Sequence, residues 1–194
     1  MPGTDVDANR IHDLKALLKA QDMGTLPPVE SWNPPYRGNI GLEIKADGGW
    51  VYQGSPINRP SLVRLFASVL RRDADGRHFL VTPVECFDIA VADAPFRAVE
   101  LQIEGSGPEQ RLVFRTNVDD LVRCGPEHPL RFEQETDSGG LKPYLLVRGR
   151  LEALVTRALS YDLVELALRP GARPTGVDPD QPGIWSDGQF FELS

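Results

Sequence analysis

Residues 54–85, GSPINRPSLVRLFASVLRRDADGRHFLVTPVE, decide how the rest of the chain is read. Gly54-Ser55-Pro56 breaks whatever precedes it. Pro60 suits the first turn of a helix, where a missing N–H costs nothing. From there Leu62, Leu65, Phe66, Val69 and Leu70 recur at the spacing of one helix face. Asp73 to Gly76 ends that helix, and 78–82 is a β-type apolar run. One buried helix set among strands predicts an α+β fold.

Outward from this core, 42–45 and 50–53 read as strands joined by Ala46-Asp47-Gly48-Gly49, with Asp-Gly supplying the positive φ of a tight turn. Before them, 25–38 is rich in proline (Pro27, Pro28, Pro34, Pro35) with Trp32 and Tyr36 interleaved, which predicts an extended connector. Residues 9–20 read as an amphipathic helix through Ile11, Leu14, Leu17 and Leu18. Downstream, 84–91, 96–104, 111–116, 121–123, 130–136, 144–147 and 151–154 are short β-type runs between Pro/Gly-rich breaks. A second helix is expected over about 156–168, with Val155, Leu159, Leu163 and Leu166 on its face and Tyr161, Val164 and Leu168 widening it into a mostly buried one. Residues 169–183 read as loop, and 187–193 as turn plus strand.

The chain thus divides into an N-terminal helical arm and linker (1–29), an α+β subdomain (30–83) and a β-rich subdomain (84–194). A duplication is suggested by local order. Each helix leads to an Asp-Gly turn and an aromatic strand, Asp75-Gly76 before Phe79 and Asp187-Gly188 before Phe190-Phe191.

Composition sets limits on function. Over 194 residues the chain is 41% hydrophobic and 25% charged, an ordinary globular balance. No apolar run approaches a membrane span, and the N-terminus has the wrong character for a secretory signal, so a cytoplasmic protein is expected. The net charge of −7 disfavours generic binding to nucleic acid or anionic membrane. Cys86 and Cys124 are isolated, so neither a disulfide framework nor a CxxC site is present. Seventeen of the 21 basic residues are arginine, a residue suited to bidentate phosphate or carboxylate recognition.

No catalytic constellation is complete. Asp137-Ser138-Gly139-Gly140 resembles a serine-protease nucleophile loop but lacks the preceding glycine and a matching histidine motif. Cys124 and His128, with Asp119, Asp120 and Glu127 nearby, lack the second ligand pair of a zinc site. Residues 105–107 lack the lysine of a phosphate loop, so no cofactor and no metal is expected. The remaining candidates are polar residues at element ends: Arg59 and Arg64 at the opening of the first helix, Glu85, Asn117, and Arg148 and Arg157 around the run into the second helix.

Several blocks together resemble a known family. They are Trp32-Asn33-Pro34, residues 47–52, Gly54-Ser55-Pro56-Ile57 with Arg59, residues 62–70, Leu80-Val81-Thr82-Pro83 with Glu85, Thr116-Asn117, and Tyr144 with Val147-Arg148. In that order they resemble the bacterial family called domain of unknown function 1285. The resemblance implies two α+β parts with a repeated motif, the second superficially like a pleckstrin-homology barrel with a C-terminal helix. It also implies a ligand site where the parts meet, for a nucleotide-like molecule in signalling, and it supplies no reaction.

The reading is therefore a regulatory or signalling module binding a small anionic ligand at the subdomain interface through Arg59, Arg64, Glu85, Asn117, Arg148 and Arg157. If the parts are duplicated, residues 54–64 and 144–157 are expected to face each other, with Glu85 and Glu152 as counter-charges. One alternative is a hydrolase with Glu85 and His128 as acid–base groups. Another is a protein-interaction module whose arm docks on a partner or on a second copy, as a homodimer.

Overall fold

Residues 26–135, 139–171, 173–178 and 180–193 are described by the structure, a computed structural model. The helix expected over 9–20 lies outside the described residues, as do Asp137 and Ser138. Two compact units divide the chain between Ala92 and Asp93. The architecture is the expected α+β pair of sheet-rich subdomains.

The first unit is a six-stranded sheet, β1 (Tyr36–Ile44), β2 (Trp50–Tyr52), β3 (Ser55–Pro56), β4 (Leu70–Arg72), β5 (His78–Val81) and β6 (Cys86–Val91), in the order β3-β2-β1-β6-β5-β4. Helix α1 (Pro60–Ser68) runs between β3 and β4, with Pro60 in its first turn as expected. The helix stops short of the expected Leu70. Val69 leaves helical geometry at φ −109°, and its carbonyl accepts the Val81 amide at 2.9 Å. Leu70 then pairs with Leu80 in the sheet. Val69 and Leu70 are fully buried, so the apolar spacing was sound, but Val69 caps the helix and Leu70 opens a strand.

The parallel pairing of β1 with β6 corrects the expected boundary at Pro83. Residues 86–91 lie between β1 and β5, so the strand that was to open the second subdomain is central to the first. Strand β1 also reaches back to Tyr36, into the expected connector. Two register shifts flank Asn39, and Gly38 and Gly41 carry φ of 94° and 79°, which only glycine adopts readily.

The second unit contains β7 (Phe96–Glu104), β8 (Arg111–Thr116), β9 (Leu121–Arg123), β10 (Leu130–Gln134), β11 (Leu141–Arg148) and β12 (Leu151–Val155), in the order β10-β11-β12-β7-β8-β9. Helix α2 (Arg157–Leu168) follows, close to the 156–168 expected from the sequence. A separate hairpin of β13 (Gly183–Ser186) and β14 (Gln189–Glu192) closes the described chain. Its first strand begins at Gly183, the last residue of the stretch read as loop. Helix α2 is less buried than expected: Leu163, Leu166 and Ala167 are its inward residues, whereas Tyr161 and Leu168 are 61% and 66% exposed. At 3.6 residues per turn both stand well over 90° from Leu163, on the side of the helix away from its buried face.

The motif strand–helix–strand–turn–strand recurs, as β3-α1-β4-β5 and β12-α2-β13-β14, with an Asp-Gly turn in each. A larger correspondence joins the two six-stranded sheets. Counted from their first strands, both place two three-stranded antiparallel meanders side by side, with first and last strands parallel at the centre. Parallel neighbours cannot be joined by a tight turn, so the intervening four strands serve as the crossover.

His78 introduces a pH dependence. It is only 9% exposed, its Nε2 has no hydrogen-bond partner, and burial, with the Arg72 charge adding to it, lowers its pKa to about 4. Its unfolded value is about 6.5. The unfolded chain therefore binds more protons between these limits, and stability falls as pH drops from 6.5 to 4, by up to about 1.4 kcal/mol per pH unit. Urea midpoints across that range should fall less steeply for His78→Leu than for the native chain. Equal slopes would contradict this account.

Candidate functional site

A cleft of about 350 Å³ lies within the second unit, lined by Arg97, Glu135, Gly140, Leu141, Lys142, Leu154, Val155, Arg157, Ser160, Tyr161 and Val164. The backbone explains why these residues meet. Parallel pairing of β12 with β7 sets Leu154 opposite Arg97. Antiparallel pairing of β11 with β12 sets Tyr144 opposite Leu154, bringing Lys142 to the same end of the sheet. The β10–β11 turn supplies Glu135 and Gly140, joined by an amide-to-carbonyl bond of 2.7 Å. Helix α2 starts directly from β12, after Thr156, whose amide donates to the Ala98 carbonyl. The Thr156 side chain does not cap the helix, leaving first-turn N–H groups to other acceptors.

Each cation is held differently. Lys142 Nζ lies 2.6 Å from the Asp93 carboxylate, which raises the lysine pKa and also accepts the Tyr144 hydroxyl at 2.8 Å. Arg157 is exposed and donates from Nε to the Tyr161 hydroxyl at 3.1 Å; this bond, with the Glu135 charge as a smaller cause, raises its pKa. The backbone at Arg97 is clamped by Asn117. The Arg97 amide donates to Asn117 Oδ1 and the Asn117 amide donates to the Arg97 carbonyl, both at 2.9 Å. The floor is aliphatic, from Leu141, Leu154, Val155 and Val164.

Of the six residues expected from sequence, Arg157 lines this cleft. Asn117 fixes the strand end that carries Arg97. Arg148 bonds Asp120 at 2.7 Å and lies 5.0 Å from the Phe96 ring, beside the same strand end. Arg59, Arg64 and Glu85 belong to the first unit. Arg59 is the exposed residue preceding α1, its carbonyl accepting the Leu62 amide, and Arg64 is on the exposed side of that helix. Glu85 pairs with Arg37 at 3.6 Å and ends a turn in which Thr82 Oγ1 accepts its amide. The other suggested counter-charge, Glu152, pairs with Arg131.

Arg97, Lys142 and Tyr161 were missed by sequence reasoning. Arg97 follows the break at residues 93–95, the element-end signal used elsewhere, whereas Lys142 and Tyr161 carried no distinguishing pattern. The remaining expected groups have structural surroundings. The Cys124 thiol is buried, which pushes its pKa up to about 12, and His128 Nδ1 is 3.1 Å from the Leu146 carbonyl. Among the described residues no group of three His, Cys, Asp or Glu side chains converges as a metal site would need. No described helix is long and apolar enough to cross a membrane.

No curated protein matches the chain. Two solved structures do. One is a DUF1285 family protein from Silicibacter pomeroyi DSS-3, 43% identical, with a TM-score of 0.80 over 93% of each chain. The other is a DUF1285 family protein from Shewanella baltica OS155, 29% identical, with a TM-score of 0.50 over 64% of this chain and 91% of its own. Residues 27–94 match the DUF1285 N-terminal domain of unknown function, and residues 95–193 match the C-terminal domain of the same family. These matches meet where the two units divide and together span nearly all described residues, so the chain belongs to the DUF1285 family.

Proposed function

We propose that this protein is a regulatory or signalling module that binds a small anionic ligand. The observation that supports it is the convergence of Arg97, Lys142 and Arg157 on one cleft, in a chain whose net charge is −7. Cations gathered against an apolar floor concentrate a positive field locally, which an acidic protein needs if it is to hold an anion. Guanidinium groups add bidentate geometry for carboxylate or phosphate oxygens. The cleft is at the lower end of the range for small-molecule sites, which suits a metabolite and not a macromolecule. Asn117 and Arg148, expected as direct contacts, serve this reading as supports of the Arg97 strand end.

A thermal-shift panel of carboxylates, phosphorylated metabolites and nucleotides tests it on the intact chain. An anion present at a hundred times its dissociation constant should stabilise the protein by about 2.7 kcal/mol. The gain should shrink in Arg157→Gln and in Arg97→Gln. A panel in which no anion moves the transition would end this reading.

A further inference from the structure

We propose that Asp93 is an internal counter-ion that an anion in this cleft must displace from Lys142, and that occupancy of the cleft thereby reaches the segment joining the two units. The proposal deepens the anion reading and rests on it.

Lys142 lines the cleft, whereas Asp93 does not. The Asp93 carboxylate accepts the ammonium through Oδ2 at 2.6 Å and the Tyr144 hydroxyl through Oδ1 at 2.8 Å. The lysine and aspartate side chains are 31% and 20% exposed, so solvent screens this pair less than a fully exposed one. The bond to Asp93 raises the lysine pKa, which keeps the ammonium charged at neutral pH. An ammonium has three N–H donors, so Lys142 can meet a ligand while it still holds Asp93. Two anions on one nitrogen repel each other at short range. An oxyanion that takes Lys142 therefore does so at the expense of the Asp93 bond.

The place of Asp93 in the chain gives this exchange a consequence. Asp93 is the first residue of the second unit. Immediately before it, the Ala92 amide donates to the Ile44 carbonyl at 2.9 Å, the last tie of the chain to the first unit's sheet. Immediately after it, Ala94 is buried with Tyr144 and Leu154, and Leu154 lines the cleft. The group that loses its partner on binding is thus part of the joint itself. Coupling of this kind is reciprocal: as the anion weakens the Asp93 bond, so the Asp93 bond weakens the anion.

Inorganic phosphate and acetate, titrated into the intact chain at constant ionic strength and followed by backbone amide shifts, test this. Asp93→Asn keeps the shape and removes the charge, and it should bind these anions in the cleft about tenfold more tightly than the native chain. Damage to the fold would weaken binding, so a gain reports the lost competitor. Asp93→Glu keeps a carboxylate and should stay nearer the native affinity. In the native chain the anion should also speed hydrogen exchange at the Ala92 amide, while the Val81 amide, bonded to the Val69 carbonyl within the first unit, keeps its rate. In Asp93→Asn the anion should change the Ala92 rate less. Equal or weaker binding in Asp93→Asn would overturn the proposal and leave the anion reading standing, as would a saturated cleft with the Ala92 rate unmoved. Silence at the cleft from both anions, in native chain and variant alike, would remove the proposal and the reading together.

Discussion

Replacing Phe66 with alanine is expected to destabilise the first unit by about 3–5 kcal/mol, the usual loss for a buried aromatic ring. Phe66 is fully buried on α1 and stacks on Trp50 of β2, with ring centroids 6.3 Å apart and planes 20° from parallel. The contact joins the only α-helix of that unit, among the described residues, to its sheet. Trp50 makes the consequence visible. Its ring is 3% exposed and its Nε1 is buried without a hydrogen-bond partner, so packing alone keeps the indole from water. With Phe66 truncated, the cavity left beside it relaxes only in part, and the unsatisfied N–H gains a route to solvent. The urea midpoint should fall and Trp50 emission should shift to the red before the main transition. Hydrogen exchange should accelerate in peptides covering β1, β2 and α1. An unchanged midpoint with unchanged emission would show that the helix is not held through this contact.

The same helix shows how far sequence alone could go. Its apolar spacing was legible because five large residues recur with one period, and the β1–β2 turn was legible because Asp47-Gly48 demands it. There the Lys45 amide meets the Gly49 carbonyl at 2.8 Å. Strand β8 was legible because Leu112, Phe114 and Thr116 alternate inward. Partners were not legible. Alternation shows which side of a strand is buried but not which neighbour it meets, so the parallel pairs β1–β6 and β7–β12 were invisible. The boundary at Pro83 failed for that reason. Strand β4 was hidden because Leu70 satisfies the helix period and a short strand equally well. In the cleft, Arg157 was found because it sits beside a strand–helix junction. Lys142 was not, since its relevance depends on the register of β11 against β12. Tyr161 was assigned to the core because its large ring was counted with the apolar face, although the helical period sets it on the far side from Leu163.

Ser186→Ala is expected to cost the second unit about 2–5 kcal/mol, because it strands two buried backbone groups at once. The serine hydroxyl accepts the Leu112 amide at 2.9 Å and donates to the Cys124 carbonyl at 2.7 Å. It is fully buried, so no water can take its place without opening the structure. These two bonds latch the β13–β14 hairpin to the start of β8 and to the residue following β9. Around them Gln110 Nε2 donates to the Trp185 carbonyl at 2.7 Å, and the Asp187 amide donates to the Gln110 carbonyl at 2.8 Å. Those flanking bonds should hold the hairpin in place part of the time, so the variant should fold yet open locally. Cys124 reports the opening. Its thiol is buried, with its pKa pushed up to about 12, and is inert toward labelling at neutral pH while the hairpin is closed. In Ser186→Ala, thiol labelling followed peptide by peptide should accelerate at Cys124, while Cys86, on the other unit, keeps its native rate. A fall in urea midpoint with no change at Cys124 would mean the loss is spread through the sheet. No change in either would show that the latch contributes nothing.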